Sequence, residues 1–249
     1  MRIRSVSLSF AIVCAMLTST ICQDRTPPQM ATGGPSSLGQ LLKQRNVTLT
    51  KESLLNSLRN RDPEVRYLAA AKLAEDGAQD AIPAIKEALA AEKVPASRIN
   101  IAFALAQLGD DVGIRILRTE CEGDAVPAYL KARAITYLQD IHKEDCLNTA
   151  LQMLQSQSDP ESQILALSII PGFKQISKQD SEKVFKLTVT ALSNPTPTVR
   201  MNASIALGTL RNASAVPYLQ TAIAREGDDV VRSTMESVLQ ELKSKEPGQ

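Results

Sequence analysis

From Thr48 onward, apolar residues follow a helical spacing, and that spacing itself repeats. Take Arg66 as an origin. Equivalent positions are Arg98, Lys131, Gln163, Arg200 and Arg232, at steps of 32, 33, 32, 37 and 32. Three residues after each origin stand Ala69, Ile101, Ala134, Ala166, Ala203 and Met235. Seven after stand Leu73, Leu105, Leu138, Ile170, Leu207 and Leu239. An apolar pair four apart on a fixed origin buries one stripe of an α-helix. Three before each origin come Pro63, Pro95, Ala128, Pro160, Pro197 and Asp229, and proline suits a first helical turn because its missing N–H has no partner there anyway. Asp62, Asp159, Thr196 and Asp228 precede as N-caps.

Each unit is therefore predicted to be a helix pair. The helix carrying the origin, here the B helix, is expected near 63–76, 95–109, 126–140, 160–172, 197–210 and 229–244. The preceding A helix is expected near 51–59, 80–91, 111–121, 144–156, 180–193 and 212–226. No such pair can bury its stripe alone; stacking makes the core continuous. The fold class is all-α.

The segments "DPEVRYLAAAKLAEDG" (62–77), "SRINIAFALAQLGD" (97–110), "TPTVRMNASIALGTL" (196–210) and "DDVVRSTMESVLQEL" (228–242) fit a D-x-x-V-R-x-x-A-x-x-x-L pattern. In this the chain resembles the HEAT-repeat family, in its short bacterial form related to the repeats of phycobilisome lyases. The likeness spans about residues 50–245. It implies an α-solenoid of about six helix pairs with the B helices on the concave face. It also implies a structural ladder of Asp62, Arg66, Arg98, Arg200, Asp228 and Arg232, in which each arginine bonds a carboxylate or carbonyl at the next turn. The units at Lys131 and Gln163 depart from the pattern. Pro171 and about five extra residues in the fourth unit predict a bend there.

On the B helices, positions two, five and nine after the origin are expected to point away from the core, at 100° per residue. Most are polar or small; Leu68, Phe103, Leu165 and Ile205 are not. They are expected to line an apolar groove for a partner peptide or helix, with Asn100, Arg133 and Asn202 as hydrogen-bonding neighbours. The rival expectation is that superhelical curvature partly covers them.

Composition narrows the function classes. Aromatic residues make up 3%, with no Trp, so few rings are available to stack on bases. The net charge is +1, and losing Arg2 and Arg4 with a leader would leave 26 basic against 27 acidic residues. Nothing advertises a nucleic-acid backbone or anionic membrane as partner. Met1–Arg4 followed by the apolar run Val6–Cys22 has the layout of a secretory signal peptide. Residues 1–22 are thus expected to be cleaved, with lipid anchoring at Cys22 or an uncleaved anchor as alternatives. Residues 23–47, rich in Pro, Gly, Ser and Thr, read as a flexible linker in which "LGQLLKQRN" could form a short helix. The solenoid is expected over 48–246, the protein being periplasmic or extracellular with no membrane span once the leader is gone.

No catalytic residue, metal site or cofactor is expected. His142 is the only histidine, in a polar turn. The acidic pairs Glu75-Asp76, Asp110-Asp111, Glu144-Asp145 and Asp228-Asp229 fall at helix junctions, where carboxylates cap N–H groups. There is no glycine-rich phosphate loop, H-E-x-x-H or G-x-S-x-G. Cys121 and Cys146 sit at positions held by small or apolar residues elsewhere, which favours buried thiols; a disulfide or a reactive thiol are the alternatives. Eight positions along adjacent, roughly parallel A helices is about 12 Å of rise, beyond disulfide reach. Asn46, Asn202 and Asn212 match the glycosylation sequon. The expected function is that of an exported, non-enzymatic scaffold binding a protein partner. An accessory subunit or enzyme of the HEAT-like lyase or hydroxylase type, or a structural envelope spacer, are the alternatives.

Overall fold

A computed structural model describes residues 37–156 and 158–244. The expected leader, and the linker as far as residue 36, lie outside the described residues. The described elements are all helices. They are α1 (Leu38–Gln44), α2 (Lys51–Ser57), α3 (Pro63–Glu75), α4 (Ile82–Ala91), α5 (Pro95–Gln107), α6 (Asp111–Glu122), α7 (Ala128–Asp140), α8 (Leu147–Gln155), α9 (Pro160–Ile169), α10 (Lys178–Ala191), α11 (Pro197–Leu210), α12 (Val216–Arg225) and α13 (Asp229–Ser244). Short 3₁₀ turns precede α4 and α12 and follow α9.

Local chemistry sets the ends. Proline opens α3, α5, α9 and α11. The Asp62 carboxylate accepts from the N–H of Glu64, Asp110 from Val112, Asp159 from Ser162 and Asp228 from Val230. Thr196 stands at its N-cap without a side-chain bond. Gly77 and Gly109 follow α3 and α5 with φ of 68° and 82°, a conformation glycine takes without steric cost.

From α2 onward the helices pair as six layers, with α2, α4, α6, α8, α10 and α12 as A helices and α3, α5, α7, α9, α11 and α13 as B helices. Neighbouring B helices pack directly along the whole row, and α1 packs on α3 as one more member of it. Leu42 of α1 is fully buried in that contact layer. A helices approach one another less closely. A tight B row beside a looser A row makes the B surface the inner side of the curve. The apolar stripe is the predicted one: Ala69, Leu73, Ile101, Leu105, Ala134, Leu138, Ala166, Ile170, Ala203, Leu207 and Met235 are all at or near zero exposure. Truncating such a leucine to alanine costs about 2–5 kcal/mol.

Both ends of the stack are polar. At the first layer Gln40, Lys43, Gln44 and Glu52 are exposed; on the last helix Ser233, Glu236, Ser237, Gln240 and Glu241 are. Pro171 ends α9 in a 3₁₀ turn, and the extra residues after it are tied down by Glu144, whose carboxylate accepts from the N–H groups of Lys174 (2.9 Å) and Gln175 (2.5 Å).

The tightest approach is between α5 and α6. A Cβ built on Gly113 would lie 2.3 Å from the Ala102 carbonyl and 2.5 Å from the Ala106 nitrogen, both backbone. Only glycine lets α6 sit so close. Gly113→Ala is therefore expected to destabilise the fold by roughly 1–3 kcal/mol, seen as a lower Tm in thermal circular dichroism with helicity retained at about 20 °C. An unchanged Tm would refute the close approach.

Candidate interaction surface and inter-repeat clasps

The repeat sets one line of side chains along the outward side of the B row. Five residues after each origin stand Ala71, Phe103, Thr136, Ser168, Ile205 and Ser237, none of them buried. The expected continuous apolar strip is not formed. Leu68 and Leu165 are 1% and 5% exposed and belong to the core. The physical reason is angular. A residue two after the origin lies only 100° from the buried one three after it. It faces the seam with the neighbouring B helix, where a leucine fills space, whereas the residue five after lies 200° away. Ile205 is 43% exposed. Asn202, half-buried, donates to the Thr198 carbonyl at 2.8 Å, so one of its two amide hydrogens is already used. Both lie on α11, separated from Phe103 by α7 and α9.

Asn100, Phe103 and Arg133 do come together, where α5 meets α7. The Phe103 ring stacks on Tyr137 with centroids 4.0 Å apart and planes 9° from parallel. The Tyr137 hydroxyl donates to Asn100 Oδ1 at 2.8 Å. Burial pushes the Tyr137 phenol up to about 12, against the opposing pull of Arg133, so it stays a donor at neutral pH. Tyr67 of α3 completes the group; burial raises its phenol as well, with Glu64 adding and Arg45 and Arg133 opposing. Arg133 is half-buried and forms no ion pair with a described residue. The two tyrosines were missed in the sequence because they stand one and six after their origins, positions a strict outward count of two, five and nine skips.

The arginines form a second arrangement. Arg66 makes a two-pronged bond with Glu92, Nε to Oε2 and Nη2 to Oε1, each 2.8 Å. Its third nitrogen donates to the carbonyls of Asn60 (2.7 Å) and Arg61 (3.0 Å), in the loop between α2 and α3. Arg200 does the same with Glu226 (2.7 and 2.6 Å) and with the carbonyls of Asn194 and Pro195 (2.9 and 3.0 Å). Glu92 and Glu226 are the C-cap residues of α4 and α12, the A helices of the next layer. Each also binds the chain that leads into the next B helix. Glu92 accepts from the Val94 N–H and the Ser97 hydroxyl, both at 2.8 Å, and Glu226 from the Asp228 N–H at 3.0 Å. One carboxylate thus joins three segments of two layers. Such planar, paired recognition is what a guanidinium does and an ammonium cannot.

The other origins vary this clasp. Arg98 Nε lies 3.1 Å from Glu120 of α6 without hydrogen-bond alignment. Gln163 replaces the charge pair by neutral bonds, donating to the Leu154 carbonyl (3.1 Å) and accepting from Asn194 (3.0 Å). Arg232, on the last described helix, turns back to the Glu226 carbonyl and Asp229. Asp62 and Asp228, expected in the same ladder, cap helices instead of pairing with these arginines. Glu92 and Glu226 were not singled out in the sequence, although both stand 26 residues after their arginine, so aligning the two units to their ends exposes them.

The two cysteines correct an expectation. Cys121, fully buried near the end of α6, is disulfide-bonded to Cys146, with Cα atoms 6.3 Å apart, well inside the range a disulfide spans. The rise estimate placed Cys146 inside an A helix in regular register. It stands instead just before α8, as its N-cap with φ of 68°, so the fourth layer begins late and slips toward the end of α6. Beside the bridge, Arg118 pairs with Asp145 at 3.0 Å, both partly exposed.

The stack of helix pairs, its tight inner row and its arginine clasps define an α-helical repeat solenoid. The family described as HEAT repeats matches residues 52–139 and 147–240, more than half of the chain, and the protein belongs to it. Solved structures with a similar fold include an engineered protein (20% identity, TM-score 0.44, 78% of this chain and 96% of that one). Human deoxyhypusine hydroxylase in complex with glycerol is another (18%, 0.42, 84% and 77%). A third is the complex of CpcE and CpcF of phycocyanin lyase from Nostoc sp. (19%, 0.46, 86% and 80%). No curated protein matches the sequence. Among the described residues, no helix is long and apolar enough to cross a membrane, and no cluster of three or more His, Cys, Asp or Glu could hold a metal ion.

The clasps set an acid limit. Burial raises the Glu92 carboxyl, but the bonds from Arg66, Val94 and Ser97 outweigh it and hold it at about 2. The Arg200 bond holds Glu226 at about 2 against burial. Both lie below the ordinary value of 4.5. Their stabilisation is therefore complete above about pH 4.5 and lost as pH falls through about 2. In urea melts, the wild type is expected to weaken steeply over that window and a Glu92→Gln/Glu226→Gln variant to show a shallower slope. Glu92→Ala at neutral pH is expected to cost about 3–5 kcal/mol, since it strands the Arg66 charge.

Proposed function

We propose that the protein is an exported, non-catalytic scaffold that holds a protein partner against the inner surface of its B helices, centred on Phe103. The observation carrying this reading is the group at the α5–α7 seam. A stacked aromatic pair lies there beside an arginine with no carboxylate partner among the described residues, with the Asn100 amide next to it. Rigid rings flanked by a guanidinium are the side chains that dominate protein interfaces. A solenoid offers such groups on an extended concave face. Export is supported by the leader pattern of residues 1–22 and by the Cys121–Cys146 bond, since disulfides persist mainly in oxidising compartments.

A photo-crosslinking residue at position 136, on the inner row, is expected to trap a discrete partner in the host envelope. The same residue at position 220, on the exposed side of α12, is expected to trap none. Phe103→Asp with Arg133→Glu should abolish the adduct at 136 while leaving the circular dichroism spectrum unchanged. Adducts that survive the double substitution would overturn the reading. Export is tested separately by fractionating cells that carry the chain with and without residues 1–22.

A further inference from the structure

The junctions between layers are not fastened alike. Arg66–Glu92 joins the first to the second, Arg98–Glu120 the second to the third, Gln163–Asn194 the fourth to the fifth, and Arg200–Glu226 the fifth to the sixth. Among the described residues, the third-to-fourth junction has no such tie from its origin. That origin is Lys131, which makes no side-chain bond to a described residue, and the residue 26 further on is Gln157, not a carboxylate. The Cys121–Cys146 bridge spans this junction, from the end of the third A helix to the start of the fourth. The α7–α8 contact inside this stretch is slight, and the family match breaks here too, between 139 and 147. On the inner side the B row stays continuous, with α7 packed on α9 and Gln139 donating to the Ile169 carbonyl at 3.1 Å.

We propose that the disulfide is a covalent substitute for the missing clasp, and that a dithiol reductant acting on it converts the third-to-fourth junction into a hinge between two rigid half-solenoids. Cys146 is half-buried and Cys121 fully buried, so the attacking thiolate reaches the Cys146 sulfur. The S–S bond breaks, and Cys121 leaves as a thiolate and takes a proton. The reductant's second thiol then displaces Cys146 and the reductant departs as its own disulfide, two electrons and two protons having passed to the protein. What remains on the A side is the Arg118–Asp145 pair, exposed enough to be worth little. With the B row intact, the outer side opens and the curvature becomes variable. This inference does not depend on which partner binds.

Native-state hydrogen exchange of the full mature chain, oxidised and after reduction with alkylation, tests it. Amides over 141–155 are expected to exchange at least about 10-fold faster after reduction, with α2–α5 and α10–α13 unchanged. A Cys121→Ala/Cys146→Asn variant is expected to match the reduced protein without reductant; asparagine tolerates the positive φ at 146. Unchanged exchange over 141–155 with both thiols alkylated overturns the proposal. So does loss of protection through all layers, which would make the bond a support of the whole fold. Two free thiols in protein recovered from the envelope overturn it as well.

Discussion

A two-helix layer with one apolar stripe cannot cover that stripe by itself. Every feature of this molecule answers to that constraint. Ala69, Ile101, Ala134, Ala166, Ala203 and Met235 are buried because a neighbouring layer lies against them, and each layer is stable only in company. Small side chains follow from it: a core of alanine, leucine and isoleucine lets helices approach closely, as at Gly113, and leaves few aromatic residues for anything else.

Burial is non-directional, so it does not say how one layer is turned on the next. The polar clasps supply that information. Arg66–Glu92 and Arg200–Glu226 reproduce the same set of bonds 134 residues apart, tying an arginine, the end of the next A helix and the start of the next B helix at fixed angles. Their carboxylates are almost wholly removed from water and are held charged by partners that use their lone pairs. Where the charge pair is absent, the Gln163–Asn194 bond and the Cys121–Cys146 bridge stand in its place, one neutral and one covalent.

Much of this was legible in the chain. Prolines and aspartates mark the helix starts, so the B helices at 63, 95, 160, 197 and 229 begin where the pattern puts them. Local signals of this kind act within one turn and survive any tertiary context. What failed depended on neighbours. Leu68 and Leu165 read as outward because the helical wheel of one helix cannot show the seam with the next. Cys146 read as helical because regular register was assumed where α8 starts late. Glu92 and Glu226 carry no signal in their own segment; their role exists only across 26 residues of chain. For the candidate surface, Asn100, Phe103 and Arg133 were visible, while Tyr67 and Tyr137, which make them a group, were not.

The polar faces at the two ends carry a last implication. Stacking layer on layer is a head-to-tail contact that never closes on itself, the geometry that produces open filaments when the surfaces match. Gln40 and Lys43 at one end, and Glu236 and Gln240 at the other, would be stripped of water by such a join. A join of one copy on another, end to end, is thereby disfavoured at the described faces.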